Sequence, residues 1–216
     1  MNGIRKSLKR FSFPDDEKKN PWLSLLMTAY ALIDEGVSIA IAREEKKRGV
    51  RPACRLGCDV CCRAHRDIPC YPIELVGISW LVIEKMEQPH RGIVKQQLLG
   101  HRKGNPCPFL IDRACAVHLV RPTACRQFTV FTTECTEGED PFYSRRQDVM
   151  TPITEYVDAA LDVTLPFYGI TGKDARKQAV QGRLINARIQ VLQEWPWSEL
   201  ALRMDDFDFS RQASGR

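Results

Sequence analysis

Cysteine is the residue type in this chain best suited to chemistry, because eight of the nine cysteines fall into two groups. The groups are Cys54, Cys58, Cys61 and Cys62, and then Cys107, Cys115, Cys125 and Cys135. A thiolate is a soft anionic ligand, and four converging thiolates make a site for Zn²⁺ or for an iron–sulfur cluster. The sequence therefore predicts a metal-binding protein with these eight cysteines as its ligands.

Metal ligation is favoured over disulfide bonding. The basic segment 1–11 has no apolar run behind it, as a secretion signal would, so we expect a cytoplasmic protein in which thiols stay reduced. An odd number of cysteines and the adjacent pair Cys61 and Cys62 also fit disulfide pairing poorly.

Chain length and net charge limit the number of domains and the kinds of partner that we expect. A chain of 216 residues is long enough for one well-packed domain. The net charge of +5 is modest and spread along the chain, so we do not expect nucleic-acid binding. The stretch Ile73–Met86 is apolar but is interrupted by charged residues and too short to span a bilayer, so we expect no membrane segment.

Helical periodicity dominates outside the cysteine groups. Asn20-Pro21 predicts a helix start, and apolar residues at three- and four-residue spacing follow it to about Lys47. Further helices are predicted over about 73–87, 92–99, 152–165 and 173–194, the last capped by Thr171. Residues 101–145 show no strong period and predict loops.

The predicted fold class is mainly α, with a single domain of packed helices around a loop-rich cysteine metal-binding region. That domain spans residues 20–200, with the cysteine groups over 54–135. Residues 1–19 are predicted to be a flexible N-terminal segment, and 201–216 a flexible tail or docking segment. If residues 54–62 were helical, Cys54, Cys58 and one of the pair Cys61 and Cys62 would share a face.

The second cysteine group is accompanied by proline and arginine residues at fixed spacing from its cysteines. It begins Cys107-Pro-Phe-Leu and continues through Arg121-Pro-x-x-Cys125-Arg126. With the first group, this closely resembles the CxxCxxCC family, also called the YkgJ-type cysteine cluster proteins, which are described as zinc- or iron-chelating domains. Glu74 lies where that family often has a helix start. The resemblance covers about residues 54–135 and implies metal binding, mostly without an assigned reaction.

One relative in that family has an activity. Flagellin lysine N-methylase has a similar cysteine arrangement together with S-adenosylmethionine-dependent chemistry. The resemblance therefore implies, as an alternative, a protein N-methylase with S-adenosylmethionine as cofactor. No Gly-rich loop after a strand indicates where such a cofactor would bind.

The sequence does not decide which metal is bound or what the residues around the cysteines do. Eight cysteines allow two four-thiolate sites or one cluster with surplus ligands. The absence of paired two-residue knuckles slightly favours a 4Fe–4S cluster over zinc. Arg121 and Arg126 could donate hydrogen bonds to sulfur and offset its charge, or pair with Glu74 or Asp112. His118 is a possible nitrogen ligand, and Cys70 is expected to be a buried apolar thiol.

Three classes of function follow. The first is a metal-binding module with a structural role or a role in metal and redox handling, and it is the one we favour. The second is the N-methylase-like enzyme, for which no catalytic residue stands out. The third is a zinc-stabilised module that binds a protein partner.

Overall fold

The structure, a computed structural model, describes the backbone of residues 8–213 and the side chains of residues 8–207. This part of the chain is mainly α-helical, which confirms the predicted class. The helices are α1 Pro14–Lys19, α2 Pro21–Arg48, α3 Val60–Ala64, α4 Pro72–Trp80, α5 His90–Gly100, α6 Thr123–Gln127, α7 Pro141–Ser144, α8 Thr154–Thr164, α9 Lys173–Gln181 and α10 Trp197–Ala213. A π-helical turn, Leu81–Lys85, extends α4. Short 3₁₀ turns occupy His118–Val120, Arg146–Asp148, Leu165–Tyr168, Leu184–Arg188 and Leu192–Glu194.

Two very short antiparallel ladders complete the described fold. β1 (Pro69–Cys70) pairs with β4 (Gln190–Val191), and β2 (Leu110–Ile111) pairs with β3 (Ala114–Cys115). The turn between β2 and β3 is made by Asp112 and Arg113, which both have positive φ, at 46° and 64°. Two such residues suit a tight two-residue hairpin, and this one sets Cys115 opposite Leu110.

The central element is α2, which begins at Pro21 as predicted and ends at Arg48, where Gly49 in the left-handed region caps it. Its apolar face packs against α8, α6 and α4. At Gly36 the approach to α8 is close enough that a Cβ would lie 2.7 Å from the Cβ of Tyr156. A side chain at position 36 would therefore force the two helices apart.

Helix α2 is also the one described helix that is long and apolar enough to cross a membrane, with a mean hydropathy of 1.6 in its most apolar window. Half of that window, 50%, is buried inside the protein. A core helix passes the same test of length and composition, so this property alone is a weak indication of a membrane span.

The main core lies between α2, α4, α5 and α10. Trp197 fills its centre, with its ring edge-on to Phe109 at 4.9 Å and its indole N–H donating to the carbonyl of Leu192 at 2.7 Å. Cys70 is fully buried in this core, as expected. A second, smaller cluster joins α2 to α8 through Leu32, Ile33 and neighbouring alanines.

Several predicted boundaries differ from those observed. The helix predicted over 173–194 ends at Gln181, because Gly182 follows and Arg183 adopts a φ of 51° that no α-helix contains. The residue before this helix is Gly172, and no side-chain cap is formed, so Thr171 is not a cap. The predicted helix over 73–87 ends as a regular α-helix at Trp80.

The segments predicted to be flexible contain helices where they are described. Residues 14–19 form α1, which packs against α2, and Phe13 contacts the ring of Trp80 at 5.1 Å. Helix α10 continues through the predicted tail, with Ala201 and Met204 buried. Residues 1–7 and 214–216 lie outside the described part of the chain.

Candidate metal centre

All nine cysteines are free thiols. The first group is not helical throughout: a turn containing Gly57, with φ of 81°, separates Cys54 from Cys58, and α3 begins only at Val60. Residues 54–62 are therefore not one helix, and the shared face that a helix would give to Cys54, Cys58 and one of the pair Cys61 and Cys62 does not form. Cys61 and Cys62 lie on α3, while Cys54 and Cys58 lie in the loop before it.

The second group is carried by two different elements. Cys107 precedes the β2–β3 hairpin, Cys115 is the last residue of β3, and Cys125 lies on α6. All three pack against the main core as partly buried residues. The main-chain N–H of Cys107 also donates to the carbonyl of Cys62 at 2.9 Å, which joins the hairpin directly to α3.

Burial and mutual repulsion act together on these thiols. Burial first, and then negative charge on Cys115 and Cys61, raise the pKa of Cys107 to about 12. The pKa of Cys125 is raised by burial first and then by Cys107, Cys61 and Cys115. Burial likewise raises the pKa of Cys115. Four thiols from three chain segments are thus close enough to influence one another, and all four favour the neutral form.

Main-chain donors already point at some of these sulfur atoms. The N–H of Phe109 donates to Cys107, and that of Val117 donates to Cys115, so each bond runs from two residues further along the chain. Each lowers the pKa of its thiol, against the larger effect of burial. A donor aimed at sulfur favours the thiolate, the form that binds metal.

The remaining thiols lie nearer the surface. Cys54 is exposed, and its sulfur accepts a hydrogen bond from the N–H of Val130 at 3.3 Å. Burial raises the pKa of Cys135 to about 11, while the cation of Arg145, whose Nη2 lies 3.7 Å from the Cys135 sulfur, lowers it. Charge on Cys54 and Cys58 would also raise the pKa of Cys135, which places these three thiols near one another.

Cys61 influences both the thiols that lie nearer the surface and those that pack against the main core. Its thiol is hydrogen-bonded to that of Cys62, and this bond, followed by burial, raises the pKa of Cys61. Negative charge on Cys61 would raise the pKa of Cys54 on one side and of Cys107 on the other.

Arg121 lies close enough to two of the thiols for its charge to act on them. Its cation lowers the pKa of Cys54 and of Cys115, in each case against the larger raising effect of burial. The Nε atom of Arg121 is buried and has no hydrogen-bond partner among the described residues. A buried donor left unpaired costs about 1–3 kcal/mol, so this position favours an added acceptor or anion.

Arg126 lowers the pKa of Cys115 through its charge, as Arg121 does, and it also connects α6 to α2. Its guanidinium forms a two-bond ion pair with Asp34, at 3.0 and 2.8 Å, and stacks on the ring of Tyr30 at 3.9 Å. It also donates to the carbonyls of Leu119 and Arg121. The ion pair of Arg126 is thus with Asp34 on α2 rather than with Glu74 or Asp112, while its charge still lowers the pKa of Glu74.

Glu74 is a buried connector between two helix starts. One carboxylate oxygen accepts from the N–H of Tyr71 at 2.9 Å, and the other accepts from the N–H and hydroxyl of Thr123 at 2.7 and 2.6 Å. Burial raises the pKa of Glu74, and these hydrogen bonds oppose the rise. Glu74 thereby fixes α6, which carries Cys125, against the start of α4.

Two residues that the sequence did not single out organise the outer loops. Asp34 receives Arg126, as described above. Arg145 donates to Glu139 at 2.7 Å and to the hydroxyl of Thr133 at 3.1 Å, which closes the loop around Cys135. No motif marks either residue. His118 is exposed on its 3₁₀ turn.

The thiols are neighbours without forming a closed coordination shell. Among the described residues, no group of three or more histidine, cysteine, aspartate or glutamate side chains is placed so that it could hold a metal ion. The donor set nevertheless fits a thiophilic metal in its chemistry, because its thiols are reduced and Arg121 leaves a donor unpaired beside them.

Comparison with known proteins adds no relative. No family model matches the chain, no curated protein matches it, and no solved structure matches it. The resemblance to the cysteine cluster family accordingly stays a prediction from the residues.

Proposed function

We propose that this chain is a metal-binding protein that coordinates an iron–sulfur cluster or zinc through cysteine thiolates, with a structural role or a role in metal and redox handling. One observation carries the proposal. Eight free thiols from separate parts of the sequence influence one another's pKa values, and Arg121, whose buried Nε has no hydrogen-bond partner among the described residues, acts on two of them.

The electrostatics of the region support a cation as occupant. With burial and neighbouring thiols both raising thiol pKa values, an empty site would hold mostly neutral S–H groups. A bound metal reverses this preference, because it displaces the thiol protons and cancels the repulsion between thiolates. Eight thiols gathered without metal would gain no comparable stabilisation.

The surrounding fold supports a role in ordering the chain. Much of residues 101–145 consists of turns, short 3₁₀ segments and a two-residue ladder. Thiolate ligation would tie the loop before α3, the β2–β3 hairpin and α6 to one another. Metal binding would then supply part of the folding free energy, as in other small thiolate sites. A reducing compartment such as the cytoplasm is part of this proposal.

The test is metal analysis of protein purified without oxygen, combined with a visible absorption spectrum. Iron, labile sulfide and absorbance near roughly 400 nm would identify an iron–sulfur protein. A colourless protein with stoichiometric zinc would identify a zinc protein. Metal content no higher than that of a blank preparation, with all nine thiols titratable in the native state, would refute the proposal.

Single variants sharpen the test. Cys58→Ala and Cys125→Ala are each expected to lower metal content and the midpoint of thermal unfolding. Cys70→Ala is the matched control: Cys70 belongs to neither cysteine group and its thiol is fully buried in the main core, so metal content should not change. Equal metal loss in all three variants would show an effect of folding alone.

A further inference from the structure

We propose that the protein has a binding site separate from the cysteines, a cavity between α2, α4, α6 and α8 that binds a small organic cation. The ligand has an apolar body about the size of a benzene ring and one amine group, which binds the carboxylate of Glu74. This site does not depend on the proposed function in metal binding.

The cavity lies where the four helices meet and has a volume of about 180 Å³. Its walls are mostly apolar, and the buried side chains of Leu26, Ile33 and Leu161 are among those that line it. An engineered apolar cavity of about 150 Å³ is large enough to bind benzene. The cavity in this protein therefore has room for an apolar body of that size.

Small side chains leave this space open. Ala29 on α2, Ala124 on α6 and Ala160 on α8 each present only a methyl group to the cavity. Ala29 and Ala160 also belong to the cluster that joins α2 to α8, so packing fixes the helices that carry them. A packed structure closes only partly around missing side-chain volume, and the unfilled space lowers stability. A ligand that fills the space therefore stabilises the folded protein.

The cavity is open to water where some of its lining residues reach the surface. Pro69 is exposed, and Tyr71, Gln127 and Ile189 are partly exposed. The hydroxyl of Tyr71 donates to the side chain of Asn186 at 2.9 Å, which holds one side of this opening in place. A small ligand can thus enter without unfolding of the surrounding helices.

Glu74 is the acidic group in the wall of the cavity, and only 2% of the residue is exposed. Its carboxylate accepts hydrogen bonds on both oxygens, from Tyr71 and Thr123. Donors on both oxygens suit the ionised form, because a protonated carboxyl group must itself donate. Among the described residues, no lysine or arginine forms an ion pair with Glu74. The charge of Arg126 acts on Glu74, but the guanidinium of Arg126 is bound to Asp34.

A ligand amine would supply the cation that Glu74 lacks, since buried charges in proteins are normally paired. The two carboxylate oxygens offer about four acceptor positions, of which Tyr71 and Thr123 occupy three. The thiol of Cys70 donates to Glu74 as well, but a thiol is a weak donor that an ammonium group can replace. The site therefore selects a cation over a neutral or anionic molecule of the same shape.

The experiment compares benzylamine, benzyl alcohol and benzoate, which share a benzene ring and carry a cationic, a neutral and an anionic head group at neutral pH. Binding to the full-length protein, purified without oxygen, is measured by isothermal titration calorimetry. The midpoint of thermal unfolding, followed by circular dichroism, is the second measurement.

Four variants accompany the wild-type protein. Glu74→Gln removes the negative charge with little change of shape, and Ala124→Leu and Ala160→Leu each fill part of the cavity. Gly100→Ala is the control, because it lies on α5 and does not line the cavity.

Benzylamine should bind the wild type and Gly100→Ala about tenfold more tightly than benzyl alcohol does, because only the amine forms a charge-assisted hydrogen bond with Glu74. Benzoate should not bind. Glu74→Gln should bind the amine no more tightly than the alcohol, and the two leucine variants should bind neither.

Equal affinity of the wild type for the amine and the alcohol, or no binding of the amine at millimolar concentration, would overturn the proposal. Unchanged affinity for the amine in a folded leucine variant would do so too, since the ligand would then lie elsewhere. If any variant fails to fold, the comparison of the three ligands on the wild type still decides the question.

Discussion

The contacts of Arg126 predict a strong asymmetry between the two members of its ion pair. Arg126 is only 7% exposed, whereas the side chain of Asp34 is 51% exposed. Arg126→Ala removes two hydrogen bonds from a charged group to main-chain carbonyls, at about 1.5 kcal/mol each. It also removes the stacking on Tyr30, at about 1 kcal/mol.

Asp34→Ala should cost much less. Water can replace a half-exposed carboxylate, and such ion pairs contribute about 1 kcal/mol or less. Arg126→Ala should therefore lower the free energy of unfolding by about 4 kcal/mol, which corresponds to a fall of roughly 8–16 °C in the unfolding midpoint. Asp34→Ala should lower the midpoint by no more than roughly 4 °C.

Urea unfolding followed by circular dichroism measures both changes under the same anaerobic conditions. Arg126→Lys is a useful third variant: it keeps the charge but cannot reach both carbonyls and Asp34 together, so its stability should be intermediate. Equal losses for Asp34→Ala and Arg126→Ala would refute the reasoning, since the ion pair would then outweigh the carbonyl and ring contacts.

Two further expectations concern packing and pH. Gly77→Ala should destabilise the protein by about 1–3 kcal/mol in urea unfolding, because its Cβ would lie 2.3 Å from a methyl carbon of the buried Leu26 side chain. Gly100→Ala is the control, because a Cβ there meets no atom within 4 Å, and it should be neutral or slightly stabilising in the same assay. Hydrogen bonds from Arg10 lower the pKa of Glu17 from 4.5 to about 2, so its stabilisation is complete above about pH 4.5 and is lost as the pH falls towards 2. Glu17→Gln should show a smaller loss of urea midpoint across that range, and an unchanged profile would contradict the assignment.

Helix starts were predictable because their signals are local. Pro21 and Pro72 open α2 and α4 where the sequence predicts helix starts, since a proline at the first helical position loses no hydrogen bond. The end of α9 was missed because the apolar spacing continues past Gly182 into residues that instead form a 3₁₀ turn and β4. Regular spacing of apolar residues indicates which side chains are buried, but buried side chains also occur in 3₁₀ turns, as that of Ile185 does after Gly182.

The partners of the arginines could not be read from the sequence for a different reason. Asp34 and Arg126 are separated by 92 positions, and no motif spans them. Both Arg121 and Arg126 lower the pKa of Cys115, but only Arg126 forms an ion pair with Asp34 on α2. Proximity along the chain to Cys125 therefore did not determine what Arg126 binds.

The pairing of α2 with α8 has a consequence for how the protein is made. Helix α2 ends at Arg48, and α8, its most extensive packing partner, begins only at Thr154. A ribosome needs on the order of ten seconds to synthesise the intervening segment. During that interval the part of α2 that α8 covers in the folded protein stays open, and the four cysteines that follow α2 emerge before the second cysteine group. The newly emerging chain is thus exposed both to premature association and to oxidation, and the period of exposure is set by the order of the sequence.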